Sequence, residues 1–189
     1  MGIDRKPRLP EIQGRRMKKP GEIFRVEQLD LEFANGQQRR YERLISKGVG
    51  AVIIVAMPDP DTVFLIREYA CGVHRYEIGL PKGRLEPGES ILEGANRELQ
   101  EEVGFAAANL QEIGVLSLAP GYMSHVTHIV LARDLRESSL PGDEPEEIEV
   151  IPWAMDNLVE LVRRPDCTEG RSIAALYIAR DMIRNHAFN

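Results

Sequence analysis

Glu98, Glu101 and Glu102 stand at i, i+3 and i+4, so one face of a helix carries all three carboxylates. Like charges at that spacing repel and weaken an isolated helix. A chain that keeps them needs neutralisation from outside. A hard divalent cation held by carboxylate oxygens does this, and Mg²⁺ takes a few carboxylates together with substrate phosphates. Taken alone, Glu-x-x-Glu-Glu is an ordinary solvated helix face. The neighbours change that reading: a loop with Gly83 precedes the helix, Arg97 sits inside it and Gly104 ends it.

Patterning supplies the elements that must position these groups. Ser90 and Glu93 form a capping box, Ile91, Leu92, Ala95, Leu99 and Val103 make an apolar stripe, and Gly104 stops the helix. Upstream, Phe24, Val26, Leu29, Leu31 and Phe33 recur near period two. Asn35-Gly36 then turns the chain back into a return strand starting at Arg39. Gly50 to Met57 is a continuous apolar run, expected to be a strand buried on both faces. Val63–Ile66, Leu110–Leu118 and Thr127–Leu135 read as further strands. Pro141 to Glu149 reads as an acidic loop, Trp153 as the lead into a helix ending before Pro165, and Ser172 to Asn185 as a last amphipathic helix. The layout predicts a mixed sheet with one central helix and C-terminal helices, an α/β (α+β) sandwich.

Composition narrows the classes. The 189 residues are 43% hydrophobic and 29% charged, enough for one domain with a real core. The net charge of −6 argues against a nucleic-acid or membrane-surface binder, which needs a basic footprint. The acid is concentrated: residues 83–105 hold six acids and two bases, and residues 136–150 six acids and one base. Residues 1–20 carry seven bases and two acids with Pro7, Pro10 and Pro20, and residues 1–21 are expected to be a flexible basic arm. No apolar run approaches the ~20 residues of a bilayer span. Cys71 and Cys167 form no metal or redox spacing. A reducing compartment, the cytoplasm, is therefore expected.

The segment Gly83–Phe105 resembles the Nudix box, G-x5-E-x7-R-E-U-x-E-E-x-G-U with U bulky and apolar. Gly83, Glu89, Arg97, Glu98, Leu99, Glu101, Glu102, Gly104 and Phe105 meet every fixed position. The resemblance implies a Nudix fold, with a mixed β-sheet sandwiched between helices, and metal-dependent hydrolysis of a nucleoside diphosphate linked to another group. The implied cofactor is Mg²⁺ (or Mn²⁺). Glu98 and Glu102 become the principal ligands, Glu101 shares the metals, and the backbone carbonyl of Lys82 adds an oxygen. Arg97 pairs with a box glutamate, and Glu89 braces the loop.

The flanks resemble the ADP-ribose pyrophosphatase branch, most closely its NudE-type ADP-compound hydrolases. The carrying residues are Leu31–Gly36, Arg40–Arg43, Ile66–Ala70 and Ala119-Pro120. That resemblance implies ADP-ribose as substrate, with NADH and short diadenosine polyphosphates, and AMP as product. It also implies an N-terminal antiparallel β layer over 22–48, used to form a homodimer, ahead of a hydrolase domain over 49–189. An acidic loop then brings Glu146, or else Glu144 or Glu147, to the metals or the water. Arg39, Arg40, Arg43 and Arg67 are candidates for the diphosphate, whose oxygens fit the guanidinium fork. Pro120 and Tyr122 are further substrate candidates. Leu80-Pro81-Lys82-Gly83 is closer to diadenosine- or diphosphoinositol-type boxes. Hydrolysis of diadenosine polyphosphates or diphosphoinositol polyphosphates is therefore the alternative. A non-catalytic binding module of the same fold would have lost box glutamates, and none is lost.

Overall fold

The computed structural model describes residues 11–17, 24–46, 48, 50–142 and 144–185. The chain divides into two compact units, Met1–Lys47 with Ala119–His125, and Gly48–Leu118 with Val126–Asn189.

The first unit is a three-stranded antiparallel sheet. β1 (Glu11–Met17), β2 (Phe24–Glu32) and β3 (Gln38–Ser46) lie in that order. The expected Asn35-Gly36 hairpin forms: Gly36 takes φ +79° and donates its N–H to the Phe33 carbonyl at 2.8 Å. Opposite charges face each other across β2 and β3, Asp30 against Arg40 and Glu27 against Arg43, and such pairs help fix register. The arm departs from expectation. Residues 11–17 are a strand paired to β2, with Arg15 across from Leu29 and 3.7 Å from Glu27. Arg15 finds an acid on the neighbouring strand, which composition alone does not show. Residues 1–10 and 18–21 of the expected arm lie outside the described residues. Ala119–His125 joins β3, the Leu44 N–H donating to the Tyr122 carbonyl at 2.7 Å.

The second unit is built on β4 (Ala51–Asp59), the expected doubly buried strand, with Ala51–Met57 all buried. The sheet order is β10-β5-β4-β9-β8, with β5 (Thr62–Ala70), β8 (Phe105–Ser117), β9 (Val126–Glu137) and β10 (Glu149–Ala154). β4 runs parallel to β9 and antiparallel to β5, so the sheet is mixed. Two short strands lie outside those that the patterning predicts: β6 (Arg75–Gly79), paired to β5, and β7 (Lys82–Arg84), paired to β4. Trp153 lies near the end of β10, opposite Val63, and leads as expected into helix that ends before Pro165. The helical turns follow at Met155–Asn157 and in α2 (Leu158–Val162).

Side chains of β4 alternate between two cores. Val52, Ile54 and Ala56 pack with Ala95 and Leu99 of α1 (Ile91–Glu102). Ile53, Val55 and Met57 pack with Leu176 and Ala179 of α3 (Gly170–Arg184). Helices thus cover both faces of the sheet. Burying a side chain such as Leu99 contributes about 1.5–3 kcal/mol, and this anchors the apolar side of α1. No helix among the described residues is long and apolar enough to cross a membrane.

Candidate active site

The site is assembled around α1. Ser90 caps it in a full capping box, and Gly104 at φ +79° follows its end. Arg97 ties the helix to the loop before it. Its Nε reaches Glu89 Oε1 at 2.9 Å and its Nη2 reaches Glu89 Oε2 at 3.0 Å, a two-pronged ion pair. Nη2 also donates to the Arg84 carbonyl at 3.0 Å. Glu89 in turn accepts the Glu86 N–H at 2.9 Å, bracing the loop. The Arg97 hydrogen bonds hold the Glu89 carboxyl below its ordinary range.

Arg97 also answers part of the repulsion on the helix. Its Nη1 donates to Glu98 Oε1 at 2.9 Å and to Glu101 Oε2 at 2.8 Å. Counter-charge for two of the three carboxylates therefore comes from within the helix and not from outside it alone. Glu98 and Glu102 are each only 9% exposed. Glu98 lies against the bare face of Gly83, where a Cβ would fall on the Glu98 carboxylate. Glu102 accepts the backbone N–H of Lys82 at 2.8 Å. Burial nevertheless pushes its carboxyl up to about 8, with Lys82 pulling the other way and Glu68 and Glu98 adding to the rise.

Two elements bring further carboxylates. Glu68 of β5 pairs with the Lys82 ammonium. Oxygens of Glu68, Glu102 and Glu144 lie within 4.8 Å of one another. Sequence reasoning missed Glu68, because a strand residue shares no helical spacing with the box. Glu144 comes from the acidic loop, the segment 138–148 between β9 and β10. Glu146 of the same loop accepts the Tyr76 hydroxyl at 2.6 Å. That carboxylate raises the Tyr76 phenol above its ordinary value. The loop also touches the helix: Gly142 lies beside Glu101, its Cβ position 3.5 Å from the Glu101 carbonyl oxygen.

The substrate candidates fall into both units. In the second, Arg67 is engaged by Glu149 at 2.8 Å and Asp166 at 2.9 Å. In the first, Arg43 pairs with buried Glu27 at 2.6 Å and Arg40 with Asp30 at 2.7 Å. Arg39 donates to the Gln38 carbonyl at 2.8 Å and to Gln37 at 3.1 Å. Pro120 and Tyr122 help line a pocket with Leu29, Phe33, Tyr41 and Arg43.

Comparison with known proteins agrees with this geometry. Residues 47–169 match the NUDIX domain, and residues 10–43 match the NudE-type Nudix hydrolase N-terminal domain. The chain is 46% identical over 162 residues to ADP compounds hydrolase NudE of Escherichia coli, spanning 86% of this chain and 87% of that one. It is 28% identical to an ADP-ribose pyrophosphatase of Bacillus subtilis over 82% of this chain and 84% of the relative. A crystal structure of an ADP compounds hydrolase superposes with a TM-score of 0.88 at 42% identity, covering 97% of this chain and 98% of that one. An intact box, a helix-flanked mixed sheet and both domain matches make this chain a member of the Nudix hydrolase family, with a NudE-type N-terminal region.

Proposed function

We propose that the enzyme hydrolyses the pyrophosphate bond of ADP-linked compounds and releases AMP. ADP-ribose heads the substrates, with NADH and short diadenosine polyphosphates beside it. The observation that carries this reading is the convergence of Glu68 and Glu144 on box residue Glu102. The relatives named for ADP compounds and ADP-ribose support the substrate class.

The donor set suits a hard divalent cation. All three side chains of the group are carboxylates, and oxygen ligands are what Mg²⁺ and Mn²⁺ take. Glu98, Glu101, Glu102, Glu68, Glu144 and the Lys82 carbonyl are the proposed holders. When bound, such an ion offsets charge on the pyrophosphate and lowers the pKa of a water.

The remaining work belongs to the chain. Arg97 fixes the positions of Glu98 and Glu101 relative to the loop. The Lys82 N–H orients Glu102. Gly83 leaves room for the Glu98 carboxylate, and Glu144 closes the group from the loop. Placement and charge compensation are most of what phosphoryl substitution needs from a protein. Arg39, Arg40, Arg43, Arg67, Pro120 and Tyr122 are the proposed substrate contacts. A homodimer through the N-terminal β layer and a cytoplasmic location complete the proposal. The dimer is supported by β3, the last strand of that sheet, which Ala119–His125 meets at Leu44 and on which Tyr41 is exposed.

The Lys82 ammonium beside Glu68 favours a second reading, in which longer polyphosphates also fit. The test is AMP release from ADP-ribose, NADH and diadenosine triphosphate, with diadenosine tetraphosphate and a diphosphoinositol polyphosphate alongside. Each is assayed with Mg²⁺, with Mn²⁺ and with chelator. Metal-dependent AMP release from the first three is expected. No turnover of any of them defeats the ADP reading, and turnover confined to the last two selects the alternative.

A further inference from the structure

The acidic loop has tethers that the box motif does not contain. Its near end is tied to α1, the Leu140 N–H donating to the Gln100 carbonyl at 3.2 Å and Ser138 Oγ to Gln100 Oε1 at 2.8 Å. Its far end enters β10, where Glu149 pairs with Arg67. Between these ends Glu144 stands with Glu68 and Glu102. Two residues beyond Glu144, the Tyr76 hydroxyl fastens Glu146.

Tyr76 is itself braced. It lies opposite Tyr69 across the β5–β6 pair, and the two rings meet edge-on with centroids 5.9 Å apart. The Tyr69 hydroxyl lies 2.5 Å from His74 Nδ1, in the turn that joins the two strands. Tyr76 is nonetheless 46% exposed, so burial of its ring does not explain the contact. A hydroxyl bonded to a carboxylate is among the stronger hydrogen bonds. Here it ties a loop to a sheet strand.

We propose that Tyr76 is a positioning residue: acting through Glu146, it holds the acidic loop so that Glu144 stays at the box carboxylates. The inference rests on the reading of that carboxylate group as the reaction site. A loop freed at Glu146 presents Glu144 in fewer of its conformations. That slows the chemical step and leaves ground-state substrate contacts in place. Misplacing a reacting group by about an ångström costs up to ~100-fold, and partial release of one tether costs less, roughly tenfold.

The test uses the full chain and Tyr76→Phe, which removes the hydroxyl and keeps the ring against Tyr69. Hydrogen–deuterium exchange over residues 138–148 is expected to quicken, with α1 unchanged. In AMP release from ADP-ribose with Mg²⁺, kcat is expected to fall roughly tenfold and KM to stay within about twofold. Glu146→Ala should give the same loss, and the double variant should be no slower than either single one. Unchanged loop exchange or unchanged kcat in Tyr76→Phe overturns the proposal. So does a double variant far slower than both singles. Should the wild type release no AMP from any compound, the ADP reading fails, and the exchange comparison still decides the tether.

Discussion

Arg97 grips Glu89 through two parallel hydrogen bonds, 2.9 and 3.0 Å long, and so joins the box helix to the loop that enters it. The same guanidinium reaches Glu98 and Glu101. One cation therefore sets the geometry of loop and helix together. Lysine cannot reproduce the fork. Arg97→Lys is expected to cost about 2 kcal/mol, or roughly 4–8 °C in Tm, and to lower kcat more than it raises KM. Thermal melts and steady-state kinetics measure both.

Gly83 is set by space. A Cβ there would occupy the position of the Glu98 carboxylate. Gly83→Ala is expected to displace Glu98 and cut turnover by roughly 100-fold. A circular dichroism spectrum like the wild type's should show the fold intact. Wild-type turnover in Gly83→Ala would mean that Glu98 is not needed where it lies.

The arginines of the first unit separate by what they already hold. Arg43 pairs with Glu27, which is only 5% exposed. Removing that partner leaves the buried carboxylate with Arg15, 3.7 Å away, as its remaining counter-charge, so Arg43→Ala is expected to destabilise by about 1–2 kcal/mol. Arg40 pairs with Asp30 at the surface, and Arg39 bonds only to Gln37 and Gln38 beside it in the chain among the contacts described above. Arg39→Ala and Arg40→Ala should leave Tm nearly unchanged and raise KM for ADP-ribose severalfold. An unmoved KM in both removes them from the substrate contacts.

Asp166 gives a pH dependence. Hydrogen bonds from Arg164, and after them Arg67, hold its carboxyl at about 2 against an ordinary 3.8, with burial opposing. A folded-state value below the unfolded one stabilises fully above the ordinary value. That contribution is lost as pH falls through the folded one. Solvent screening keeps it to about 1 kcal/mol or less. Asp166→Asn should therefore lower Tm at neutral pH and approach the wild type near about pH 2, as thermal melts across that range will show.

Legibility followed range along the chain. The capping box at Ser90, the stop at Gly104, the hairpin at Asn35-Gly36 and the buried run of β4 all formed as their local signals required. Each depends on residues within a turn or two of one another. The box glutamates were legible for the same reason, because helical spacing gathers them. Glu68 and Tyr76 were not, since strand pairing and a long loop bring them in from outside any local period. β6 and β7 are only five and three residues long and sit among glycines, too short to show alternation. β10, which contains Pro152, takes its identity from pairing with β5, and no local pattern marks it as a strand. β1 is hidden by its basic composition, and Glu27, which faces its Arg15, lies on β2.

The claim that Glu102 and its neighbours carry the reaction is met most directly by one pair of assays. AMP release from ADP-ribose in Mg²⁺ is measured for the wild type and for Glu102→Gln, with Tm recorded for both. The substitution keeps the shape and removes one of several crowded carboxylates, so Tm should hold or rise. Turnover should fall at least ~100-fold. Equal rates in the two proteins would contradict the assignment of the box carboxylates as the reaction site.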